Sequence, residues 1–407
     1  MTQSVYRSAL ILGLLSTIGP FAIDMYLPAM PAIGADLGTD VAATQGTLTA
    51  FFVAFGLAQL IYGPLADQVG RKPPILIGVT IFILGAIGCA LAPTIGWLTF
   101  FRLVQGLGAA AVMVIPRAII RDQHTGPAAT RMMALIMLVI SVSPMLAPLA
   151  GSGILMLGNW RLMFWVLATI GLLSLALTIW AQPETLAPEN RVPVNVKSLL
   201  RGAGTLFRDP VFIGLTFVGG FGIASFFVFI STAAFVYTGQ FGLSPVQFSL
   251  AFAVNAIGFF AASQLAGPLG ERFGMVPVMR VAVIGFAICA CTLLALCLAG
   301  AGSLLVIIGM LFAGNACLGL IIPTTMVVAL DEHGDIAGLA SSLGGTLQMV
   351  TGGVMISLTG LVFDGTALPM VAAIAFCAVA ALGLALLVLP RLAHAQARAE
   401  ARAQAHA

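Results

Sequence analysis

The sequence predicts an all-α integral membrane protein in which about twelve transmembrane helices form two pseudo-symmetric six-helix bundles. Composition is the first reason, because 60% of the 407 residues are hydrophobic and only 8% are charged, whereas about 25% of the residues in a soluble domain are charged. The second reason is a series of apolar runs, each long enough to cross about 30 Å of hydrocarbon at about 1.5 Å per residue. The third is a partial repeat of the first half of the chain in the second.

The apolar runs are predicted to be helices because the strands of a membrane barrel need only about 10 residues of alternating polarity. The first run continues past the length of a signal peptide and lacks a clear cleavage pattern, so we interpret it as the first span. In chain order the predicted spans cover residues 7–30, 44–66, 73–93, 97–121, 132–157, 162–181, 211–237, 246–270, 274–299, 303–330, 336–362 and 367–390.

One long polar break separates six spans from six. With the N-terminus placed in the cytoplasm, every lysine and arginine except Arg102 and Arg161 falls on the cytoplasmic side, so both termini are predicted to be cytoplasmic. Because the basic residues lie between spans, they do not indicate a nucleic-acid partner. The predicted organisation is an N-terminal bundle at 1–181, a cytoplasmic linker at 182–210, a C-terminal bundle at 211–390 and a cytoplasmic tail at 391–407.

A short motif occurs at equivalent places in the two halves. GPLADQVGRK (63–72) follows the second predicted span, and GPLGERFGMV (267–276) follows the eighth, 204 residues later. Both segments have G-P-L, then a small residue, an acid and a second glycine in register. Two six-helix halves related by a parallel repeat are typical of secondary transporters, which work by alternating access.

Three motifs carry a resemblance to a known family. GPLADQVGRK is similar to the signature loop between spans two and three of the major facilitator superfamily. DMYLPAMP (24–31) and RLVQGLGAA (102–110) resemble the Bcr/CflA group of drug–proton antiporters within that superfamily. The resemblance implies a single-chain exporter in a bacterial inner membrane that uses the proton gradient and no cofactor. Its implied partners are a small-molecule substrate, protons and the lipid bilayer, and a monomer is expected.

Asp24 and Arg102 are the predicted proton-coupling residues. Asp24 lies about six residues before the expected outer end of span one, and Arg102 about five residues into span four, so both are expected roughly 8–9 Å below the outer boundary. An intramembrane charge usually faces the bundle interior or a wet cavity. Burial favours a protonated carboxyl group and a nearby arginine favours the ionised form, so movement between wet and dry states can drive proton exchange. Alternatively, Asp24 is an exposed helix end and Arg102 extends to the lipid headgroups.

The loop after span two is predicted to form an inner gate. Arg71 can pair with Asp122, and Asp67 can approach a helix N-terminus of the other half; these contacts would latch the inner gate in the outward-open state. Alternatively, the charges only fix the topology. The predicted gating residues are Gly63, Asp67, Gly70, Arg71, Lys72 and Asp122.

Two further groups of residues are candidates with weaker support. Pro144, Pro148 and Gly151 in span five predict a bent helix. The segment is similar to the proline–glycine motif of the superfamily's antiporters, except that Ala147 stands where that motif usually has a glycine before the proline. A bent packing helix without a mechanistic role explains these residues equally well. The candidate cavity residues also fit lipid contact or helix–helix hydrogen bonds. They are Met25, Tyr26, Phe55, Met113, Met137, Asn255, Asn315 and Gln348.

The predicted function is proton-coupled efflux of small amphipathic compounds by alternating access. A proton-coupled transporter of a metabolite, such as an amino acid or nucleoside, is the alternative on the same fold; it would be expected to bury more polar side chains. A receptor or scaffold is disfavoured because no large soluble domain is present. Catalysis is not predicted, because the histidines at positions 124, 333, 394 and 406 have no metal-binding spacing and lie in predicted loops or the tail.

Overall fold

The structure is a computed structural model. It describes the backbone of residues 3–123, 126–193, 195–331, 333 and 336–406. Side-chain surroundings are described for these residues except 3–10, 126–131, 133–135, 137, 138, 196 and 393–406.

The described chain folds into helices and contains no strand. Twelve segments of this part of the chain are long and apolar enough to cross a membrane, which confirms the predicted fold class. The helices are α1 (Gln3–Asp24), α2 (Met30–Asp36), α3 (Val41–Val69), α4 (Lys72–Leu91), α5 (Ile95–Gln123), α6 (Gly126–Leu157), α7 (Arg161–Ala181), α8 (Val196–Arg208), α9 (Pro210–Phe235), α10 (Pro245–Phe273), α11 (Met275–Leu298), α12 (Leu304–Asp331), α13 (Ala337–Val362) and α14 (Ala367–His406).

The first span is interrupted in its middle. Helix α1 ends at Asp24, a 3₁₀ turn covers Leu27–Ala29, and α2 continues the span to Asp36. Pro28 and Pro31 explain the interruption, because proline has no backbone N–H and its ring disfavours a continuous helix. The predicted outer end of this span at residue 30 was therefore wrong, because the helix resumes at Met30 and the span continues to Asp36.

Helix α5 lies against α3 on one side and α4 on the other. A methyl group added at Gly106 would lie 2.4 Å from the carbonyl oxygen of Phe51 in α3, and one added at Gly108 would lie 2.3 Å from the amide nitrogen of Phe82 in α4. Both distances are too short for a side chain, so the two glycines bring the three backbones together. This close packing fixes the position of Arg102 one turn earlier in α5.

The repeated motif ends in the same backbone turn in both halves. Gly70 separates α3 from α4 with φ of 102°, and Gly274 separates α10 from α11 with φ of 85°. The two positions are 204 residues apart, which is the offset of the sequence repeat. Since side chains other than glycine disfavour positive φ, the second glycine of each motif is explained by its turn.

The chain divides into two compact units. The first contains Met1–Asn195, Phe229–Ala256 and Gly353–Thr366, and the second contains Val196–Val228, Ile257–Gly352 and Ala367–Ala407. This division follows spatial proximity. The division into bundles at 1–181 and 211–390 with a linker and a tail stays a prediction.

Candidate functional site

Asp24 lies at the interruption of the first span. That span covers Ile11–Asp36, so Asp24 is near its middle and not close to its outer end, and the expected depth of roughly 8–9 Å is wrong because the span continues through α2. Its side chain is buried, with 5% of the residue exposed. Among the described residues, none forms a hydrogen bond or an ion pair with its carboxylate. The structure therefore excludes an exposed helix end.

Arg102 is buried completely and does not extend to a headgroup region. Its Nη1 donates hydrogen bonds to the carbonyl oxygen of Ala22 at 3.0 Å and to Oε1 of Gln105 at 2.7 Å. The guanidinium carbon lies 4.6 Å from the ring centre of Tyr26 and 4.4 Å from that of Phe51. Desolvated cation–π contacts of this kind contribute about 2 kcal/mol or more, so aromatic rings stabilise this charge.

The structure connects the two predicted proton-coupling residues through the backbone. Arg102 holds the carbonyl of Ala22, which is two residues before Asp24 in α1. Within the described residues the two side chains form no ion pair. The arrangement fixes the end of α1 and leaves the Asp24 carboxylate without an ion pair among the described residues.

The candidate cavity residues of the first half surround this site in part. Met25, Tyr26 and Phe55 are buried, and the Tyr26 hydroxyl hydrogen-bonds to Oγ1 of Thr47 at 2.7 Å. Met113 is half-buried. The side chain of Met137 lies outside the described residues.

The polar candidates of the second half are all buried but in different surroundings. Asn255 donates from Nδ2 to the carbonyl of Ala251 in its own helix at 3.1 Å. Asn315 is 4% exposed. Gln348 lines a small cavity of the second unit together with Thr216 and Thr325. A role for the three side chains in substrate binding stays a prediction.

The predicted gating loop forms a compact polar cluster. Nε of Arg71 donates to Oδ2 of Asp122 at 2.7 Å and Nη2 donates to Oδ1 at 3.2 Å, while Nη1 donates to Asp67. Burial lowers the pKa of Arg71, but the hydrogen bonds that it donates to Asp122 and Asp67 outweigh this effect, and its pKa is raised. Nζ of Lys72 donates to the carbonyl of Ile179 at 2.8 Å.

Glu184 belongs to this cluster, although the sequence analysis assigned it only to the linker. Its Oε1 accepts from the backbone N–H of Arg71 at 2.8 Å and its Oε2 from that of Lys72 at 3.0 Å. Burial raises the pKa of Glu184, but hydrogen bonds from backbone N–H groups, including those of Leu186, Arg71 and Lys72, lower it by more. The pKa of Glu184 is therefore below its ordinary value. An acid directly after the sixth span, on the side predicted for Arg71 and Lys72, was the signal that could have identified it.

Gly70 and Gly63 differ in how closely other atoms surround them. A methyl group at Gly70 would lie 2.5 Å from Oε2 of Glu184, so the turn and the carboxylate both require glycine there. A methyl group at Gly63 would meet nothing within 4 Å. The predicted contact of Asp67 with a helix of the other half stays a prediction.

The proline–glycine segment of α6 packs on the interrupted first span. A methyl group at Gly151 would lie 2.2 Å from the carbonyl oxygen of Met25 and 3.1 Å from Cγ of Pro28. Pro144 and Pro148 lie inside α6, which continues through both. The predicted bend itself stays a prediction, whereas the close approach at Gly151 places this segment directly beside Asp24.

Polar contacts that the sequence analysis missed join α6 to α10 within the first unit. Oγ of Ser152 donates to the carbonyl of Pro245 at 2.8 Å, and Oγ of Ser249 donates to the carbonyl of Pro148 at 3.0 Å. The two serine hydroxyls lie 2.8 Å apart. Serine side chains in long apolar helices gave no sequence signal, because their partners are nearly one hundred residues away.

The fold and this site define a multi-pass membrane transporter, and comparison with known proteins gives its family. The model of the Major Facilitator Superfamily matches residues 12–355 and 221–407. The chain belongs to the Major Facilitator Superfamily, as its motifs predicted.

Three curated relatives illustrate the match. An uncharacterised MFS-type transporter, YdgK, from Bacillus subtilis is 35% identical, with 89% of this chain and 90% of the relative covered. A bicyclomycin resistance protein homologue from Haemophilus influenzae is 32% identical over 93% of this chain and 94% of the relative. Multidrug resistance protein D from Escherichia coli is 29% identical over 86% and 88%. The resemblance to drug-resistance members is thus confirmed.

Solved structures show the same fold. The nucleoside transporter NupG has a TM-score of 0.75 at 15% identity and covers 95% of this chain and 99% of its own. A D-xylose–proton symporter has a TM-score of 0.74 at 16% identity, with 95% and 97% covered. At these identities the likeness concerns the fold alone.

Proposed function

We propose that this chain exports small amphipathic compounds across a bacterial inner membrane in exchange for protons, by alternating access. The bicyclomycin resistance homologue and multidrug resistance protein D, with which it shares most of its length, support a drug-like substrate. The proton gradient supplies the energy without a cofactor. The transporter works as a monomer with both termini in the cytoplasm.

The buried carboxylate of Asp24 is the observation that carries the proposal. A charged aspartate at the centre of a span costs about 3 kcal/mol or more, and the described residues offer this one no compensating partner. Asp24 is therefore neutral, with a bound proton, when the site is closed to water. When water reaches the site the carboxyl group ionises, and the released proton leaves on the side that is open.

Arg102 acts as a positioning residue in this proposal. It binds the carbonyl of Ala22 and is held between two aromatic rings, so it fixes the end of α1 without neutralising Asp24. Movement of α1 against α5 changes this contact and the water access of Asp24 together. The cluster around Arg71 and Asp122 latches the inner gate when the outer side opens.

Transport in proteoliposomes tests the proposal. Bicyclomycin, chloramphenicol, a nucleoside and an amino acid are offered to the purified chain with and without an imposed pH gradient. We expect gradient-dependent movement of one or both drugs, loss of that movement in Asp24→Asn, and full movement in the control Asp364→Asn, whose carboxylate binds Thr366 at the surface. Movement of the nucleoside or amino acid alone would show that the chain carries a metabolite, and drug movement without a gradient would contradict proton coupling.

A further inference from the structure

Helix α8 connects the sixth and seventh spans and carries three kinds of surface. It is a 13-residue helix with the sequence VKSLLRGAGTLFR. At 3.6 residues per turn, side chains three, four, seven or eleven positions apart share a face. The faces of α8 are therefore defined by its sequence, and the exposure of its side chains shows which of them are covered.

One face of α8 packs against the rest of the second unit, to which the helix belongs. Leu206 is fully buried, Leu199 is half-buried, and a methyl group at Gly202 would lie 2.7 Å from Cδ2 of Leu339 in α13. Leu339 is close to the start of α13, and α8 is followed after one residue by the start of α9. Because α9 and α13 are both membrane spans, these contacts hold α8 at the level where two spans begin.

The next face is apolar but uncovered. Leu200 and Phe207, seven positions apart, are 69% and 55% exposed. Two large apolar side chains beside the ends of membrane spans are at the level expected for the boundary between headgroups and acyl chains. An interfacial helix buries such a face about 5–10 Å into this boundary.

A basic stripe borders the apolar face. Lys197, Arg201 and Arg208 are all exposed, and α8 contains no acidic residue. No described acid forms an ion pair with the three side chains. The neighbouring acid, Asp209, instead accepts from the N–H of Val211, and its Oδ2 lies 3.3 Å from Nε2 of His333.

We propose that α8 is a lipid-binding helix that docks on the anionic phospholipid headgroups of the adjacent leaflet. Leu200 and Phe207 enter the boundary of the acyl chains, and Lys197, Arg201 and Arg208 bind headgroup phosphates. Long basic side chains suit this geometry because their apolar stems lie along the membrane while their charged ends reach the phosphates. The occupant is negative because the surface is purely basic, and it is a lipid because the apolar face lies beside the spans.

Fluorescence of the full chain in lipid nanodiscs tests the docking of the apolar face. Phe207→Trp places a reporter on that face, and Thr205→Trp is the matched control on the opposite, polar side of the same helix. The unmodified chain corrects for its four native tryptophans. We expect lipids brominated near the headgroup to quench the reporter at 207 and not the one at 205. Equal insensitivity of both reporters would mean that the face contacts water, a partner protein or a second copy, and would overturn the proposal.

Titration of phosphatidylglycerol into phosphatidylcholine nanodiscs tests the basic stripe. In the Phe207→Trp background, quenching should rise with phosphatidylglycerol, and Arg201→Gln should raise the half-saturating fraction by roughly fivefold, the effect of one basic residue near an anionic surface. Joint replacement of Lys197, Arg201 and Arg208 by glutamine should abolish the rise. The same charge change at the exposed Arg272, Arg280 and Arg391 should leave it intact. Quenching that is independent of phosphatidylglycerol, or lost equally in both triple variants, would contradict headgroup recognition by α8.

Discussion

At the scale of single residues, the site combines an acid without a described partner and a cation without a described counter-ion. Asp24 is buried at the end of α1, and Arg102 is buried between aromatic rings with only neutral hydrogen-bond acceptors. The sequence identified both residues because charges stand out in apolar runs. It did not show that Arg102 binds the backbone of α1, because that contact joins residues 80 positions apart.

Replacement of Arg102 by lysine should destabilise the protein. A lysine is shorter and has no planar group to stack on Tyr26 and Phe51, and lost hydrogen bonds to a charged group cost about 1.5–3 kcal/mol each. We expect a lower thermal midpoint in detergent and loss of transport. The matched control is Arg161→Lys, which alters a more exposed pair with Asp36 and should lower the midpoint much less, because exposed ion pairs contribute little to stability. Equal midpoints for the two variants would contradict the buried role of Arg102.

Gly151 tests the packing beside Asp24. Alanine at this position would place its methyl group 2.2 Å from the backbone of Met25, and overpacking of this kind costs about 1–3 kcal/mol. Gly153→Ala is the control, because a methyl group there would meet nothing within 4 Å. Thermal unfolding should separate the two variants; if both resemble the unmodified chain, α6 does not approach the interrupted span as closely as described.

At the scale of elements, hydrogen bonds to the carboxylate of Glu184 connect the segment after α7 to the start of α4. Glu184 accepts the backbone N–H groups of Arg71 and Lys72 at the N-terminus of α4, where a negative charge is favourable. The sequence predicted a loop with an arginine–aspartate pair, and Arg71 indeed binds Asp122. It treated residues 182–210 as a linker, because a segment of prolines and charges gives no periodic pattern that would place Glu184 against the loop.

Glu184→Gln should destabilise this junction in a pH-dependent way. The loss should be about 0.5–1 kcal/mol at neutral pH, as for a weakened helix cap. Because the pKa of Glu184 is lowered in the folded protein, its contribution is complete above the ordinary pKa of glutamate and is lost as pH falls through the folded value. The thermal midpoints of the two proteins should therefore converge only below pH of about 4. Glu189→Gln is the control, and a difference that is constant with pH would refute the role of the carboxylate.

Arg71→Ala should release the inner gate. The change removes the hydrogen bonds to Asp67 and Asp122, so the population should shift away from the outward-open state. Accessibility of single cysteines to reagents applied from either side, in a chain without its six native cysteines, measures this shift. Arg121→Ala, an exposed neighbour on α5, should leave the accessibility unchanged. An unaltered pattern in Arg71→Ala would remove the latch from the mechanism.

At the scale of the whole molecule, composition and repetition determined most of what could be predicted. Apolar runs predicted the twelve candidate spans found in the described part of the chain, because the hydrocarbon core sets their length. The sequence also showed the repeated motif, and the structure shows that its second glycine, Gly70 or Gly274, has a positive φ in both halves. The predicted first span stopped at residue 30, and only the structure showed that, after the interruption near Pro28, the span continues in α2 to Asp36. Hydrogen bonds between distant serines left no pattern in the sequence.

Proton release by the purified chain tests the central claim most directly. A saturating drug is added to the protein in weakly buffered detergent solution, and a pH-sensitive dye reports the protons released. If Asp24 is the exchanging group, the unmodified chain and Asp364→Asn should release protons on binding, in decreasing number as the solution is made more alkaline, and Asp24→Asn should bind the drug and release none. Undiminished proton release by Asp24→Asn would contradict the account.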